Sequence, residues 1–293
     1  MTVLRKNQAI GIIALSNGLH PNMKDSLTEL EQSLAKMEIP LVWPEKLYQE
    51  QTVFHASDQE RAAMLMKWYE DEQIQAIFDV SGGDLANGIL PYLDYEIIRA
   101  NPKPFFGYSD LSVVVNALYT KTEQPTYLYQ IRNLVGTCAS LQQVRFQETL
   151  LQGEDTLFNF DVQWIQGARM SGEIIGGNIR CFLKLAGTPY MPDFRGKILL
   201  LESFSGDVAK MSTFLNQYKQ LGVFDQINGL ILGCFTEMEQ KQYHPDIITL
   251  VQEIIGNNEL PVVKTSEIGH GPDSKCVVIG EHVVLQKKSG GEY

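Results

Sequence analysis

Short apolar runs alternate with amphipathic stretches along the first half of the chain. The apolar runs predict β-strands at Ala9–Leu15, Pro40–Trp43, Gln75–Val80 and Pro104–Tyr108. Between them, apolar residues at helical spacing predict a helix over Lys24–Met37. Ser57 and Glu60 have the spacing of a capping box and predict a second helix over Ser57–Glu70. Because strands that alternate with helices are typical of βαβ units, we expect an α/β domain with a parallel sheet.

The pattern changes in the second half of the chain. Polar helical character dominates residues 136–170, and strands separated by glycine-rich turns follow from Gly172. Helical stretches over Val208–Gln220 and Pro245–Ile255 interrupt these strands. We therefore predict an N-terminal α/β domain over residues 1–140, a linker over 141–170, and a mixed α+β domain over 171–293 whose sheet is curled or barrel-like.

Composition limits the class of protein. The chain of 293 residues is 44% hydrophobic and 20% charged, which is typical of a folded globular protein. Its net charge of −11 and the lack of a Lys/Arg cluster argue against a nucleic-acid or anionic-membrane partner. No apolar run reaches the roughly 18 residues of a membrane span, and the N-terminus lacks the layout of a signal peptide.

Cysteine and histidine spacing gives no indication of a metal site. The four cysteines, Cys138, Cys181, Cys234 and Cys276, show no CxxC pattern, and the five histidines show no HExxH pattern. We therefore expect neither a metal nor another cofactor. Scattered cysteines without a disulfide framework are typical of reduced thiols, so we expect a cytoplasmic protein.

The clearest candidate for chemistry is Ser109, in the sequence Gly107-Tyr108-Ser109-Asp110. This tetrapeptide ends an apolar run and leads directly into a helical period. A serine on such a strand-to-helix turn is exposed on a sharp bend beside the unpaired N–H groups of a helix N-terminus, which favour a nucleophilic oxygen and its oxyanion. The alternative is an ordinary helix N-cap, because serine is common there.

A serine nucleophile needs a base and a group that orients the base. His270 lies in Gly269-His270-Gly271-Pro272, a flexible turn that permits close approach of a substrate, and Glu202 ends the apolar run Lys197–Leu201. Both residues have simpler interpretations, as a turn histidine and as a solvated strand end.

Two glycines follow the strand predicted at Gln75–Val80. In Ser81-Gly82-Gly83-Asp84 they allow backbone N–H groups to face a neighbouring oxygen without an intervening side chain. The motif is therefore a candidate oxyanion hole, with a plain βα turn as the alternative. A phosphate site is disfavoured because GxGxxG and a Walker lysine are absent.

Four sequence blocks resemble the LD-carboxypeptidase family of serine peptidases, which includes murein tetrapeptide carboxypeptidases and microcin immunity peptidases. They are SGGDLANGILPYLDYEIIRANPKPFFGYSDLS, GGNIRCFLKLAGTPYMPDFRGKILLLES, LGVFDQINGLILGCF and GHGPDSKCVVIG, in the order of the family. The resemblance implies a triad of Ser109, Glu202 and His270. It further implies that Ser109 comes from a Rossmann-like N-terminal domain, that the other two come from the C-terminal domain, and that the site lies between them.

The resemblance also implies an oxyanion hole made by the N–H of Asp110 and one from the glycine turn, for which Gly83 is preferred over Gly82. Ser81, Gly82 and Tyr127 are the expected substrate contacts. The chain departs from the family at two places, since Ser81 replaces a frequent arginine and the Gly-Pro after the nucleophile helix is missing.

The implied activity is hydrolysis of the L,D-amide bond before the terminal D-alanine of a murein tetrapeptide, in cell-wall recycling. The alternatives are a microcin-immunity-like peptidase that cleaves peptidyl- or aminoacyl-nucleotide amides, with Tyr127 or Tyr129 stacking on the base, and a muropeptide-binding protein without activity. Glutaminase-like or esterase activity is supported only by the turn at Ser109. The expected partner is a small peptide, and a homodimer is expected from the general frequency of such dimers.

Overall fold

The computed structural model describes residues 2–287. The strands are β1 (Ala9–Ile13), β2 (Leu41–Val42), β3 (Ile74–Asp79), β4 (Phe105–Gly107), β5 (Thr126–Leu128), β6 (Gln163–Gln166), β7 (Arg169–Asn178), β8 (Ile198–Ser203), β9 (Gly229–Phe235), β10 (Val262–Lys264), β11 (Val277–Ile279) and β12 (His282–Gln286). The α-helices are α1 (Lys24–Lys36), α2 (Asp58–Glu70), α3 (Tyr95–Ala100), α4 (Ser112–Thr122), α5 (Ala139–Phe146), α6 (Ile179–Phe182), α7 (Val208–Gln220), α8 (Thr236–Gln240) and α9 (Ile247–Ile255). Short 3₁₀ segments and one π-helical turn connect several of them.

The first sheet has the strand order β11-β5-β4-β3-β1-β2, and its five N-terminal strands run parallel. The α/β domain with a parallel sheet that the alternation predicts is therefore confirmed. The chain leaves β1 toward β2 on one side and returns to β3 on the other. The carboxyl ends of β1 and β3 thus flank the point where the strand order reverses, which is where ligands bind in open α/β sheets.

The second sheet has the order β12-β7-β8-β9-β10-β6. Its four central strands are parallel and its two edge strands are antiparallel. The central strands β8 and β9 are buried along almost their whole length, which agrees with their continuous apolar sequence. This mixed, curled sheet with flanking helices confirms the predicted second fold unit.

Helix α4 packs against both sheets. Its valines at 113, 114 and 115 are fully buried, and an apolar helix without a polar face is expected only inside a core. Near its middle, the Asn116 side chain donates from Nδ2 to the Gly176 carbonyl (2.8 Å) and accepts from the Gly176 N–H at Oδ1 (2.9 Å). One side chain thereby satisfies both polar groups of a residue in β7 and joins α4 to the second sheet.

Local sequence signals locate the elements well. Helix α7 spans the predicted Val208–Gln220, and the capping box of Ser57 and Glu60 begins α2 as predicted. The apolar run predicted as a strand to Leu15 ends at Ile13, because the next backbone groups bond to side chains, including Leu15 N–H to Asp79.

The division into 1–140, 141–170 and 171–293 stays a prediction. Two strands cross these boundaries, since β11 joins the first sheet and β6, from the expected linker, joins the second. Residues 288–293 of the third segment lie outside the described residues. Within residues 2–287, none of the helices combines the length and the apolar character that crossing a membrane requires.

Replacement of Asn116 tests the connection between α4 and β7. Asn116→Ala leaves the buried N–H and carbonyl of Gly176 unpaired, so we expect the free energy of unfolding to fall by about 2–4 kcal/mol. Asn216→Ala is the matched control, because that exposed asparagine on α7 bonds only within its own helix. Urea unfolding followed by circular dichroism measures the free energy of unfolding of both variants. An equally small decrease in the two variants would contradict the proposed connection.

Candidate active site

A strained turn presents Ser109. Strand β4 ends at Gly107 and Tyr108 is extended. Ser109, the first residue of the 3₁₀ segment Ser109–Leu111, has left-handed backbone with φ of 57°. Gly107 allows this bend, because a Cβ there would lie 2.6 Å from the Leu111 Cβ. The predicted strand-to-helix turn is therefore present, and it has the strained geometry of a nucleophile elbow.

The buried carboxylate of Asp110 holds this turn in place. Its Oδ2 accepts hydrogen bonds from the Ser16 hydroxyl (2.6 Å) and the Ala86 N–H (3.0 Å), and its Oδ1 pairs with Lys184 Nζ (2.5 Å). These contacts fix the peptide that follows Ser109 from three separate segments. Because a buried carboxylate without partners is costly, the bonds also stabilise the charge at this position.

Ser109, His270 and Glu202 form a continuous hydrogen-bonded chain. The distance between Ser109 Oγ and His270 Nε2 is 3.0 Å, and the distance between His270 Nδ1 and Glu202 Oε2 is 2.7 Å. Ser109 is partly exposed at the end of β4, while Glu202 is completely buried near the end of β8. The predicted nucleophile, base and orienting group thus meet, although 161 positions separate Ser109 from His270 in the sequence.

Glu202 has a second partner that the sequence reasoning missed. Asn178, at the end of β7, donates from Nδ2 to Glu202 Oε1 (3.1 Å), and its own N–H donates to the Ser112 hydroxyl (2.9 Å). Glu202 therefore uses one oxygen for Asn178 and the other for His270. Asn178 is the last residue of the Gly-Gly-Asn sequence that begins the second of the four blocks that resemble the family. Its place in that block is the signal in the sequence that could have identified it.

Two aromatic rings restrict the His270 imidazole. The rings of Tyr108 and Phe204 each lie 5.0 Å from it between centroids. Burial, together with the nearby charge of Glu202, raises the pKa of the Tyr108 hydroxyl, so this group stays protonated. Phe204 remains 57% exposed and forms an apolar surface beside the imidazole.

The glycine turn after β3 lies beside the same serine. Gly82 and Ser81 line the cavity that contains Ser109, and Gly83, with φ of 126°, packs against the Asn17 side chain. The Ser81 hydroxyl is not free, because it donates to Asp79 Oδ1 (2.6 Å) and accepts from the Ser16 N–H (3.0 Å). The hydroxyl is therefore not available to a ligand, and neither is the Ser81 N–H, which donates to the same Asp79 oxygen.

The cavity has a volume of about 380 Å³ and is open to solvent on one side. Its lining includes Ser109, His270 and the glycines on either side of His270, together with Met23 and Ser26 from the start of α1 and residues 130–136 after β5. Tyr127 is not among the lining residues. Its ring stacks on Phe106 (4.4 Å between centroids) in the first sheet, and the Tyr129 hydroxyl is buried on Gln142.

Asp79 connects the ends of β1 and β3 beneath this cavity. Its Oδ1 accepts from the Ser81 N–H (2.6 Å) and its Oδ2 from the Leu15 N–H (2.7 Å). Burial raises the pKa of Asp79 to about 6, although the bonds from Ser81 and Leu15 oppose this effect. No signal in the sequence separated this aspartate from an ordinary strand end.

The raised pKa of Asp79 gives stability a pH dependence. Between about pH 4 and pH 6 the folded state keeps a proton that the unfolded state has lost, so the free energy of unfolding falls as the pH rises through this window. Since one pKa unit corresponds to about 1.4 kcal/mol, Asp79 should lower the free energy of unfolding by about 3 kcal/mol across this pH range. Urea unfolding across this range measures it. Asp79→Asn should lack this component and exposed Asp161→Asn should keep it, whereas parallel profiles for all three proteins would contradict the assignment.

Two family profiles match most of this chain. The family profiles described as "LD-carboxypeptidase N-terminal domain" and "LD-carboxypeptidase C-terminal domain" match residues 10–129 and 171–285. The murein tetrapeptide carboxypeptidase of Pseudomonas aeruginosa is 27% identical, over 78% of each chain. The microcin C7 self-immunity protein MccF of Escherichia coli is 25% identical, over 72% of this chain and 71% of its own.

Solved structures share the fold. The structure of MccF in complex with glutamyl sulfamoyl guanosine superposes with a TM-score of 0.85 at 19% identity and covers 98% of both chains. The fold is therefore that of MccF, with one sheet rich in parallel strands and a second, curled sheet. Because the two domain profiles together match well over half of the chain, this protein belongs to the LD-carboxypeptidase family of serine peptidases.

Proposed function

We propose that this protein is a serine carboxypeptidase that cleaves the L,D-amide bond before the C-terminal D-alanine of murein tetrapeptides, as a step in cell-wall recycling. The hydrogen-bonded chain from Ser109 through His270 to Glu202, with Ser109 and His270 lining an open cavity, is the observation that carries the proposal. The name of the Pseudomonas relative supports the substrate class.

In the proposed reaction, Ser109 Oγ attacks the scissile carbonyl while His270 Nε2 accepts its proton. Glu202 holds the Nδ1–H tautomer of the imidazole and stabilises the imidazolium that forms. His270 then gives the proton to the nitrogen of the leaving D-alanine, and the peptide stays on Ser109 as an ester. Water activated by His270 hydrolyses that ester and restores the serine.

The oxyanion of both tetrahedral intermediates needs hydrogen-bond donors that are in place before reaction. We assign this role to the backbone N–H of Asp110, at the start of the helical segment, and to an N–H of the glycine turn, with Gly83 as the assigned residue. Within residues 2–287, Asp110 N–H has no backbone acceptor, which leaves it available to a substrate. The side-chain bonds of Asp110 orient this donor.

A nucleotide-linked amide is the second candidate substrate. The E. coli relative, named as a microcin self-immunity protein, supports it. The exposed ring of Phe204 beside His270 is the aromatic surface available to a base, whereas Tyr127 is stacked within the sheet. Cleavage of a peptidyl-nucleotide with no release of D-alanine from murein tetrapeptides would favour this candidate.

The proposed setting is the cytoplasm, and the proposed assembly is a homodimer. Burial raises the pKa of the Cys181 thiol to about 12 and also raises the pKa of the Cys276 thiol well above its ordinary value, so both stay as unreactive thiols. Thiols of this kind suit a reducing compartment. The homodimer rests on the general frequency of twofold assemblies.

Removal of the nucleophile tests the reaction directly. We expect Ser109→Ala to lower the kcat for D-alanine release by roughly 10⁴-fold or more, because no other group can form the ester. Exposed Ser140→Ala is the matched control and should keep the wild-type rate. Chromatography of released D-alanine, together with labelling by a fluorophosphonate probe, measures both. Comparable release by the wild type and Ser109→Ala would contradict the assignment.

Glu202→Gln tests the orienting role separately. The amide preserves the shape of the side chain but favours the wrong imidazole tautomer, so kcat should fall by roughly 10²- to 10⁴-fold while KM changes little. Circular dichroism confirms that the variant is folded. A wild-type kcat in a folded Glu202→Gln protein would exclude Glu202 from the triad.

A further inference from the structure

Arg132 is a cation without a partner in the active-site cavity. It belongs to a 3₁₀ segment (Ile131–Val135) that follows β5, and it lines the same cavity as Ser109 and His270. Its Nε is buried and has no hydrogen-bond partner. Within residues 2–287, its guanidinium forms neither a salt bridge nor a hydrogen bond, so all of its side-chain donors are unused.

The surroundings do not explain this charge. Burial lowers the pKa of the Arg132 guanidinium, which reflects the cost of withdrawing the cation from water. The charge of Asp79 opposes that effect, but the Asp79 oxygens are occupied by Ser81 and Leu15. The protein therefore offsets only part of the cost of burying this guanidinium charge. An anionic ligand would offset the rest by pairing with the charge and accepting its hydrogen bonds.

The charges of the cavity favour one class of ligand. Arg132 and His270 are its basic lining residues, and no Asp or Glu is among the fourteen described residues that line it. Every carboxypeptidase substrate carries a carboxylate three bonds from the carbonyl that is attacked. The group that binds this carboxylate must consequently share a cavity with the nucleophile, and a planar guanidinium can bind a carboxylate through two parallel hydrogen bonds.

We infer that Arg132 binds the C-terminal carboxylate of the substrate and thereby restricts the enzyme to the last peptide bond. The inference rests on the proposed function and adds a residue that determines exopeptidase specificity. Arg132 acts in binding: it holds the terminal residue so that the preceding carbonyl lies against Ser109, and it excludes peptides that continue beyond this point.

The test compares a murein tetrapeptide that ends in D-alanine with the same peptide that ends in D-alaninamide. For the wild type we expect kcat/KM to be roughly 30- to 1000-fold higher for the acid, the range typical of a charge-assisted pair at a partly buried site. Arg132→Gln should lower kcat/KM for the acid to the level of the amide, mainly through KM, and change the value for the amide less than threefold. Arg132→Lys should restore part of the preference, because it keeps the charge but not the paired geometry.

Arg195→Gln is the matched control, since that exposed arginine pairs only with Asp193 on a distant loop. It should leave both values unchanged. Equal hydrolysis of acid and amide by the wild type would overturn the inference while leaving the proposed peptidase activity intact. An equal loss for both peptides in Arg132→Gln would overturn it as well, because the residue would then have only a structural role.

A binding measurement separates failure of this inference from failure of the proposed function. If the wild type cleaves neither peptide, calorimetric titration of Ser109→Ala with each peptide still reports on Arg132. Tighter binding of the acid, lost in the Ser109→Ala/Arg132→Gln double variant, would support the carboxylate site and refute the proposed substrate. Equal affinity for both peptides would refute both.

Discussion

The left-handed backbone at Ser109 is the constraint on which the geometry of the site depends. A non-glycine residue in this conformation costs about 1–3 kcal/mol and persists only where its surroundings hold it. Here the holding groups are the buried carboxylate of Asp110, bonded to three different segments, and the close approach of Leu111 to the backbone of Gly107. The same contacts aim the Ser109 hydroxyl toward His270, so the strain and the presentation of the nucleophile have one cause.

Helix α4 connects the turn at Ser109 to both sheets. It begins beside Ser109, packs on the first sheet, and bonds to β7 of the second sheet through Asn116. Glu202 and Asn178 stand near the ends of β8 and β7, which are neighbours in that second sheet. The position of the acid relative to the nucleophile is therefore fixed by packing in the core, and catalytic geometry and stability rest on the same contacts.

Local signals in the sequence predicted the elements and made Ser109, His270 and Glu202 candidates, and the family resemblance implied that these three residues act together. The capping box at Ser57 and the apolar spacing of α7 depend on neighbours within a few residues, so a single sequence suffices for them. Asn178 and Lys184 were missed because their roles arise from contacts with distant segments. Arg132 was missed because only the fold places it in the same cavity as Ser109. Tyr127 was proposed as a substrate contact from its residue type, but the direction of its ring depends on the register of β5 beside β4.

The electrostatics of the cavity differ from those of the whole chain. A net charge of −11 would by itself oppose an anionic substrate. Charges at the surface are screened over about 8–10 Å at ordinary ionic strength, however, so the groups that line the cavity determine what binds there. The carboxylates of Asp79, Asp110 and Glu202 are not among the residues that line it, and each is engaged in hydrogen bonds to protein groups. The negative charges that orient the serine and histidine are thus kept out of the space where a carboxylate would enter, and the unpaired cation of Arg132 remains facing it.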